Sequence, residues 1–112
     1  MKRQQLGREQ LESVAGLFGV LAEATRLEIL QALQQGPISV GGLVETLHAK
    51  QANISKQLGI LYDAGLLSRE RAGTQIYYSI REPMIFELCS LVCRKIRQDA
   101  QEQAKRFAGV GK

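Results

Sequence analysis

SVGGLVETLHAKQANISKQLGILYDAG, residues 39–65, is the stretch that decides the fold. Val40, Leu43, Val44 and Leu47 line one side of a short helix, with Ser39 placed to cap its first turn. Gly41 and Gly42 each cost that helix up to ~1 kcal/mol of propensity, so tertiary packing has to hold it. After a turn around His48 and Ala49, Ile54, Leu58 and Leu61 return at helical spacing. Ala64-Gly65 then ends the second helix, because glycine suits the left-handed position beyond a helix C-terminus. Two helices joined by about three residues predict a helix-turn-helix over residues 39–64.

Working outward on the N-terminal side, Leu11, Val14, Ala15, Phe18, Leu21 and Ala22 predict a helix over residues 8–22 with one apolar face. A further helix is expected to begin at Thr25, where Thr25-Arg26-Leu27-Glu28 has the spacing of a capping box, and to stop at Gly36-Pro37. On the C-terminal side the period changes to two. Leu66 to Arg71 and Gln75 to Ile80 read as strands, with Ile76, Tyr78 and Ile80 on one face and Ala72-Gly73-Thr74 as the turn of a wing spanning residues 66–80. Arg81-Glu82-Pro83 opens a last helix over residues 83–107, with proline where a missing N–H costs nothing. The expectation is one domain over residues 1–112, α+β but mostly helical: a winged helix-turn-helix with a two-stranded wing.

The composition agrees with such a fold and narrows its partner. A chain of 112 residues buries only about two-thirds of its unfolded surface, so pairing with a second copy would help it. Lys and Arg number 15 against 11 acidic residues, a net charge of +4 that favours a polyanion. No stretch approaches the ~18 apolar residues needed to span a bilayer, and Met1 to Gln10 carries no apolar signal segment, so a cytoplasmic protein without membrane contact is expected. One histidine, no glycine-rich phosphate loop and no Cys-x-x-Cys leave no constellation for catalysis, and no metal site or cofactor is expected.

Stepping 100° per residue from Ile54 places Ala52, Lys56, Gly59 and Asp63 opposite the apolar side of the second helix, flanked by Asn53 and Ser55. A helix entering the major groove of DNA needs small and polar side chains near its N-terminal half. Ala52, Asn53, Ser55 and Lys56 meet that need: Asn can pair with adenine, Lys can reach guanine or phosphate, and Ser can serve base or backbone. Gln51 and Gln57 are secondary candidates. The same residues would also suit an ordinary solvated face; the wing directly after them tips the balance. Arg69 and Arg71 on one arm, with Thr74 and Gln75 near the tip, could lie along the phosphate backbone, although arginines on a strand surface are also common. Tyr78 is expected to pack inward and Tyr77 to face out.

From Val20 to Ile80 the sequence resembles the ArsR/SmtB family of bacterial winged-helix repressors. The resemblance rests on Leu21-Ala-Glu-Ala-Thr-Arg-Leu-Glu-Ile-Leu30, Gln51-Ala-Asn-Ile-Ser-Lys-Gln-Leu58, Leu61-Tyr-Asp-Ala-Gly-Leu-Leu67 and Gly73-Thr-Gln-Ile-Tyr-Tyr-Ser-Ile80, in the family's order and spacing. It implies a homodimer formed by the first and last helices, bound to a palindromic double-stranded DNA operator and released by an inducer. On this reading Leu11, Val14, Phe18, Ile85, Leu88, Cys89, Val92 and Ile96 line the dimer interface. Lys50 stands where the family has Ser or Thr before the recognition helix; it is a poor cap, but its ammonium could reach a phosphate.

The resemblance also implies what is missing. Where metal-sensing members carry a Cys-x-Cys-Asp box, this chain has Ser39, Gly41 and Gly42. The Asp-x-His and His-x-x-Glu of other members become Glu82-x-Met84 and Lys95-x-x-Gln98, an ammonium in place of an imidazole, and Gln31 stands near a position used by persulfide sensors. Sensing by those routes is disfavoured, and the inducer is unknown. Cys89 and Cys93, one turn apart on the last helix, have two readings: small apolar residues filling an interface, or a thiol pair open to oxidants and soft metals. A protein-interaction adaptor that has kept the winged fold and lost DNA binding is the alternative from another class.

Overall fold

The computed structural model describes residues 5–110. The order of elements is α1 (Arg8–Leu21), α2 (Ala24–Leu33), β1 (Ile38–Ser39), α3 (Val40–Leu47), α4 (Gln51–Asp63), β2 (Leu67–Ala72), β3 (Gln75–Ile80) and α5 (Met84–Val110). The chain divides into two compact units, one ending at Arg81 and the other beginning at Glu82.

The core of the first unit is built where the helical periods converge. Ile29, Leu30 and Leu33 of α2, Leu43 of α3, and Ile54, Leu58 and Leu61 of α4 are buried, together with Leu66, Leu67 and Tyr78. Each fully enclosed aliphatic side chain contributes about 1.5–3 kcal/mol relative to exposure, which is what holds α3 despite its glycines. Gly42 is more than a tolerated weakness: a Cβ there would meet Ile38 Cγ2 at 2.8 Å and Ser39 Oγ at 3.2 Å. Its missing side chain lets α3 begin tightly, and the Ser39 hydroxyl accepts from the Gly42 N–H at 3.0 Å, the cap expected from the sequence.

The ends of α4 follow from its sequence. Lys50 adopts an extended conformation at the N-cap and its side chain makes no capping hydrogen bond. At the other end Gly65 takes φ +80, and the Gly65 and Leu66 N–H groups donate to the Tyr62 and Leu61 carbonyls at 2.9 and 3.1 Å. That paired closure is a Schellman motif, and it turns the chain straight into β2. Between α3 and α4, His48 is left-handed at φ 51, so the three residues His48, Ala49 and Lys50 suffice for the turn.

Three expectations need correction. Helix α2 is capped by Glu23, not by Thr25: the extended Glu23 places its carboxylate to accept from the Thr25 and Arg26 N–H groups at 3.0 and 3.1 Å, so the helix is already under way at Thr25. The Thr25 N–H bond first, and the Arg26 N–H bond and charge with it, hold the Glu23 carboxyl below its usual pKa despite partial desolvation. The sheet has three strands, in the order β1-β3-β2, because Ile38 and Ser39 pair antiparallel with Tyr78 and Tyr77. Lastly, Ala72 pairs with Gln75, so the wing turns through Gly73 and Thr74 alone, with Gly73 at φ +66.

Candidate nucleic-acid interface

Burial of Ile54, Leu58 and Leu61 fixes the rotation of α4 and leaves Gln51, Ala52, Asn53, Ser55 and Lys56 exposed, as is Lys50 just before them. The exposed surface is thin over the first turn and a half, where Ala52 and Ser55 project little, and Lys56 is its one long cationic side chain. Gln57 does not join it. Three residues after Ile54 and four before Leu61, it lies on the inward side and is 8% exposed. Both ends of its amide are engaged: Nε2 donates to Asn53 Oδ1 at 3.0 Å and Oε1 accepts from Arg26 Nη1 at 2.8 Å. Arg26 is anchored in turn by donating to the Val20 and Gly19 carbonyls at the end of α1, at 2.6 and 3.3 Å. Gln57 is therefore an internal strut of the helix, not a groove-facing side chain.

The wing separates its two arginines. Strand register pairs Arg69 with Tyr78 and Arg71 with Ile76 on one face, and Glu70 with Tyr77 on the other. The Arg69 guanidinium lies 4.0 Å from the centroid of the Tyr62 ring, a cation–π contact that ties β2 to α4. Arg69 is thus already occupied in packing. Arg71, Thr74 and Gln75 are exposed toward the tip, and Arg71 makes no ion pair among the described residues. Tyr78 is buried and Tyr77 exposed, as their alternation predicted.

Residues 23–69, which hold all of α2, α3 and α4, match the bacterial regulatory protein family named for arsR. The HTH-type transcriptional regulator NmtR of Mycobacterium tuberculosis is 35% identical over 83 residues, covering 74% of this chain and 69% of NmtR. The chain belongs to the arsR family. The crystal structure of Rv0081 from M. tuberculosis superposes with a TM-score of 0.78 at 29% identity, covering 88% of this chain and 99% of that one. A homodimeric winged helix-turn-helix DNA-binding domain of Mycobacterium bovis, Mb0332, gives a TM-score of 0.69 at 30% identity over 88% of this chain and 91% of its own. This arsR-family chain is accordingly a winged helix-turn-helix, DNA-binding transcriptional regulator and not an enzyme.

The remaining candidates of this arsR-family protein lie on α1 and α5. On α1, Leu11, Val14 and Phe18 are all exposed, a stripe at helical spacing. On α5, Val92 and Ile96 are exposed, Leu88 and Cys89 are half-buried, and Ile85 is completely buried. Ile85 is therefore committed within its own chain and offers no surface to a second one. Leu91, at 57% exposure, belongs with the exposed apolar positions and was missed because the helical period assigns that turn of the stripe to its neighbour Val92. Lys95 donates to Asp99 at 2.5 Å, and that carboxylate raises its pKa, so the ammonium stays charged. Cys89 and Cys93 are both free thiols, and among the described residues no group of three or more His, Cys, Asp or Glu side chains is placed to hold a metal ion. No helix among the described residues is long and apolar enough to cross a membrane.

Proposed function

We propose that the protein is a cytoplasmic homodimeric repressor that seats two copies of α4 in successive major grooves of an inverted-repeat operator. The exposed N-terminal face of α4 carries this reading: Ala52, Asn53, Ser55 and Lys56 are small or polar enough to approach base edges, while Lys50 and Gln51 border the phosphates. Arg71, Thr74 and Gln75 of the wing supply backbone contacts beside the groove. The exposed stripes of α1 and α5 support pairing of two chains, in line with the homodimeric Mb0332 domain. Repression is steric, since an occupied operator excludes the transcription machinery. Cys89 and Cys93 are the thiols through which an oxidant or soft metal would act on the dimer.

Footprinting on operator selected from random duplex DNA tests the proposal. Two half-sites with centres about 10–11 base pairs apart are expected. A single unrepeated half-site overturns the dimeric reading, and binding without steep salt dependence favours an adaptor over a repressor. Arsenite, zinc and peroxide titrated into the complex test the thiols. Release that a Cys89→Ser/Cys93→Ser variant no longer shows is the expected result, and identical behaviour of the two proteins removes the thiols from the mechanism.

A further inference from the structure

Side-chain amides of Asn and Gln can face either way round, so a base-reading Asn is ambiguous unless something fixes its polarity. In this chain something does. Arginine has only donors, so the Gln57 atom facing Arg26 Nη1 at 2.8 Å has to be the oxygen. That turns Gln57 Nε2 toward Asn53, and the Asn53 atom that receives it at 3.0 Å has to be Oδ1. Arg26 cannot swing away to relax the chain, because Nε and Nη2 are held by the Val20 and Gly19 carbonyls. Gln57 is 8% exposed, so water competes poorly for its amide. Asn53 Nδ2 is left with no partner among the described residues, on an exposed side chain.

We infer that Arg26, acting through Gln57, is a positioning residue that sets Asn53 to present a hydrogen-bond donor to the DNA, so that the base it meets is chosen as an acceptor. The inference rests on the reading above that Asn53 faces a base. It departs from the usual expectation for asparagine, a bidentate pair with adenine, since Oδ1 is turned toward Gln57 and Nδ2 is the end left without a partner among the described residues. Guanine, through N7 and O6, thymine, through O4, and adenine, through N7, offer acceptors; cytosine offers only its N4 donor to the major groove. The Asn53 position should therefore reject cytosine and accept guanine, thymine or, through N7 alone, adenine.

The test inverts the chain of polarity without changing its shape. Gln57→Glu replaces an amide by a carboxylate that only accepts, still pairs with Arg26, and forces Asn53 to turn Nδ2 inward and Oδ1 outward. Base preferences of the full-length wild type, Gln57→Glu, Arg26→Ala and Asn53→Ala are compared by selection from random duplex DNA. At one position per half-site, the wild type should disfavour cytosine by about fivefold or more against the bases that carry an acceptor, the size of one hydrogen bond. Gln57→Glu should make cytosine, which the wild type rejects, a favoured base at that same position. Arg26→Ala and Asn53→Ala should flatten it. If Asn53→Ala relaxes a position while Gln57→Glu keeps the wild-type preference there, the polarity inference falls and base contact by Asn53 stands. If Asn53→Ala changes no position, base contact itself fails and the inference with it. Should Gln57→Glu fold poorly, side-chain amide exchange in the free wild type decides: Gln57 N–H protons are expected to exchange about tenfold or more slowly than those of Asn53, and equal rates overturn the wiring.

Discussion

The outer face of α4 and the stripes of α1 and α5 are all exposed, yet they are made of opposite material. On α4 the exposed positions are Ala52, Asn53, Ser55 and Lys56; on the other two helices they are Leu11, Val14 and Phe18, then Leu91, Val92 and Ile96. A polar, low-relief face with an internal hydrogen-bond framework suits a wet, charged surface whose hydrogen bonds must be matched one by one. Apolar stripes of several large side chains gain by being removed from water, and their binding energy depends on area more than on direction. Damage to the stripes should therefore be cooperative and large, whereas damage to α4 should be local and specific to a base.

The largest effect is expected where the apolar surface is spoiled. Val92→Glu/Ile96→Glu places carboxylates on exposed positions of α5, so the single chain keeps its fold while a paired one would have to bury charge. Sedimentation should show monomers, and operator affinity should fall by about 10²–10⁴ because the two half-sites no longer bind as a linked pair. Wild-type affinity from a monomeric variant would break the contrast, since α4 alone would then carry the binding. Next in size is Lys56→Ala, which should cost about 1–3 kcal/mol on the operator and relax specificity at one position. Arg71→Ala should instead weaken operator and random DNA alike and reduce the salt slope by about 1. Equal effects of the two changes on both kinds of DNA would erase the division between reading and holding.

Much of this was legible in the residues. The 3.6-residue period placed α1, α4 and α5 to within a few positions, Ser39 announced the start of α3, Gly65 the end of α4, and the change to a two-residue period gave the wing. What escaped has physical reasons. Strand β1 is two residues long, too short for alternation to register, and only its pairing with β3 defines it. Gln57 sits at an inward position of the helical period, but a polar side chain there looks like surface until its partner Arg26, half-buried and 31 residues away in sequence, is known. Thr25 as a cap would accept from the Leu27 or Glu28 N–H, but the helix starts earlier: the Glu23 carboxylate takes the Thr25 and Arg26 N–H groups, and the Leu27 N–H donates to the Glu23 carbonyl. Gly42 read as a cost because its benefit lies in the approach of Ile38 and Ser39, which no local propensity contains.

That last point sharpens the polar half of the comparison, since α3 props α4. Gly42→Ala should destabilise the protein by about 1–3 kcal/mol through overpacking against Ile38. Gly41→Ala, whose added methyl would meet nothing within 4 Å, should stabilise it by up to about 1 kcal/mol. Denaturant midpoints at neutral pH measure both, and similar effects of one sign would mean that the close approach is not what selects glycine at position 42.

The smallest effect lies at the foot of the hydrogen-bond chain. Glu23 caps α2 through the N–H groups of Thr25 and Arg26, and Arg26 is the residue that orients Gln57 and Asn53. Its carboxyl is held below the usual value of 4.5, so the folded state binds a proton there less readily than the unfolded state does. The stabilisation is therefore complete above that value, shrinks as the pH falls below it, and is gone once the pH has passed through the depressed folded value. Glu23→Gln removes the titrating group and keeps most of the shape. The wild type should be the more stable of the two at pH 7 and should lose that advantage on acidification toward pH 3, a difference read from paired denaturation curves. A gap that does not change with pH would mean that Glu23 acts by its shape and not its charge. In that case the polarity of Arg26, Gln57 and Asn53 would owe nothing to the carboxylate that starts their helix.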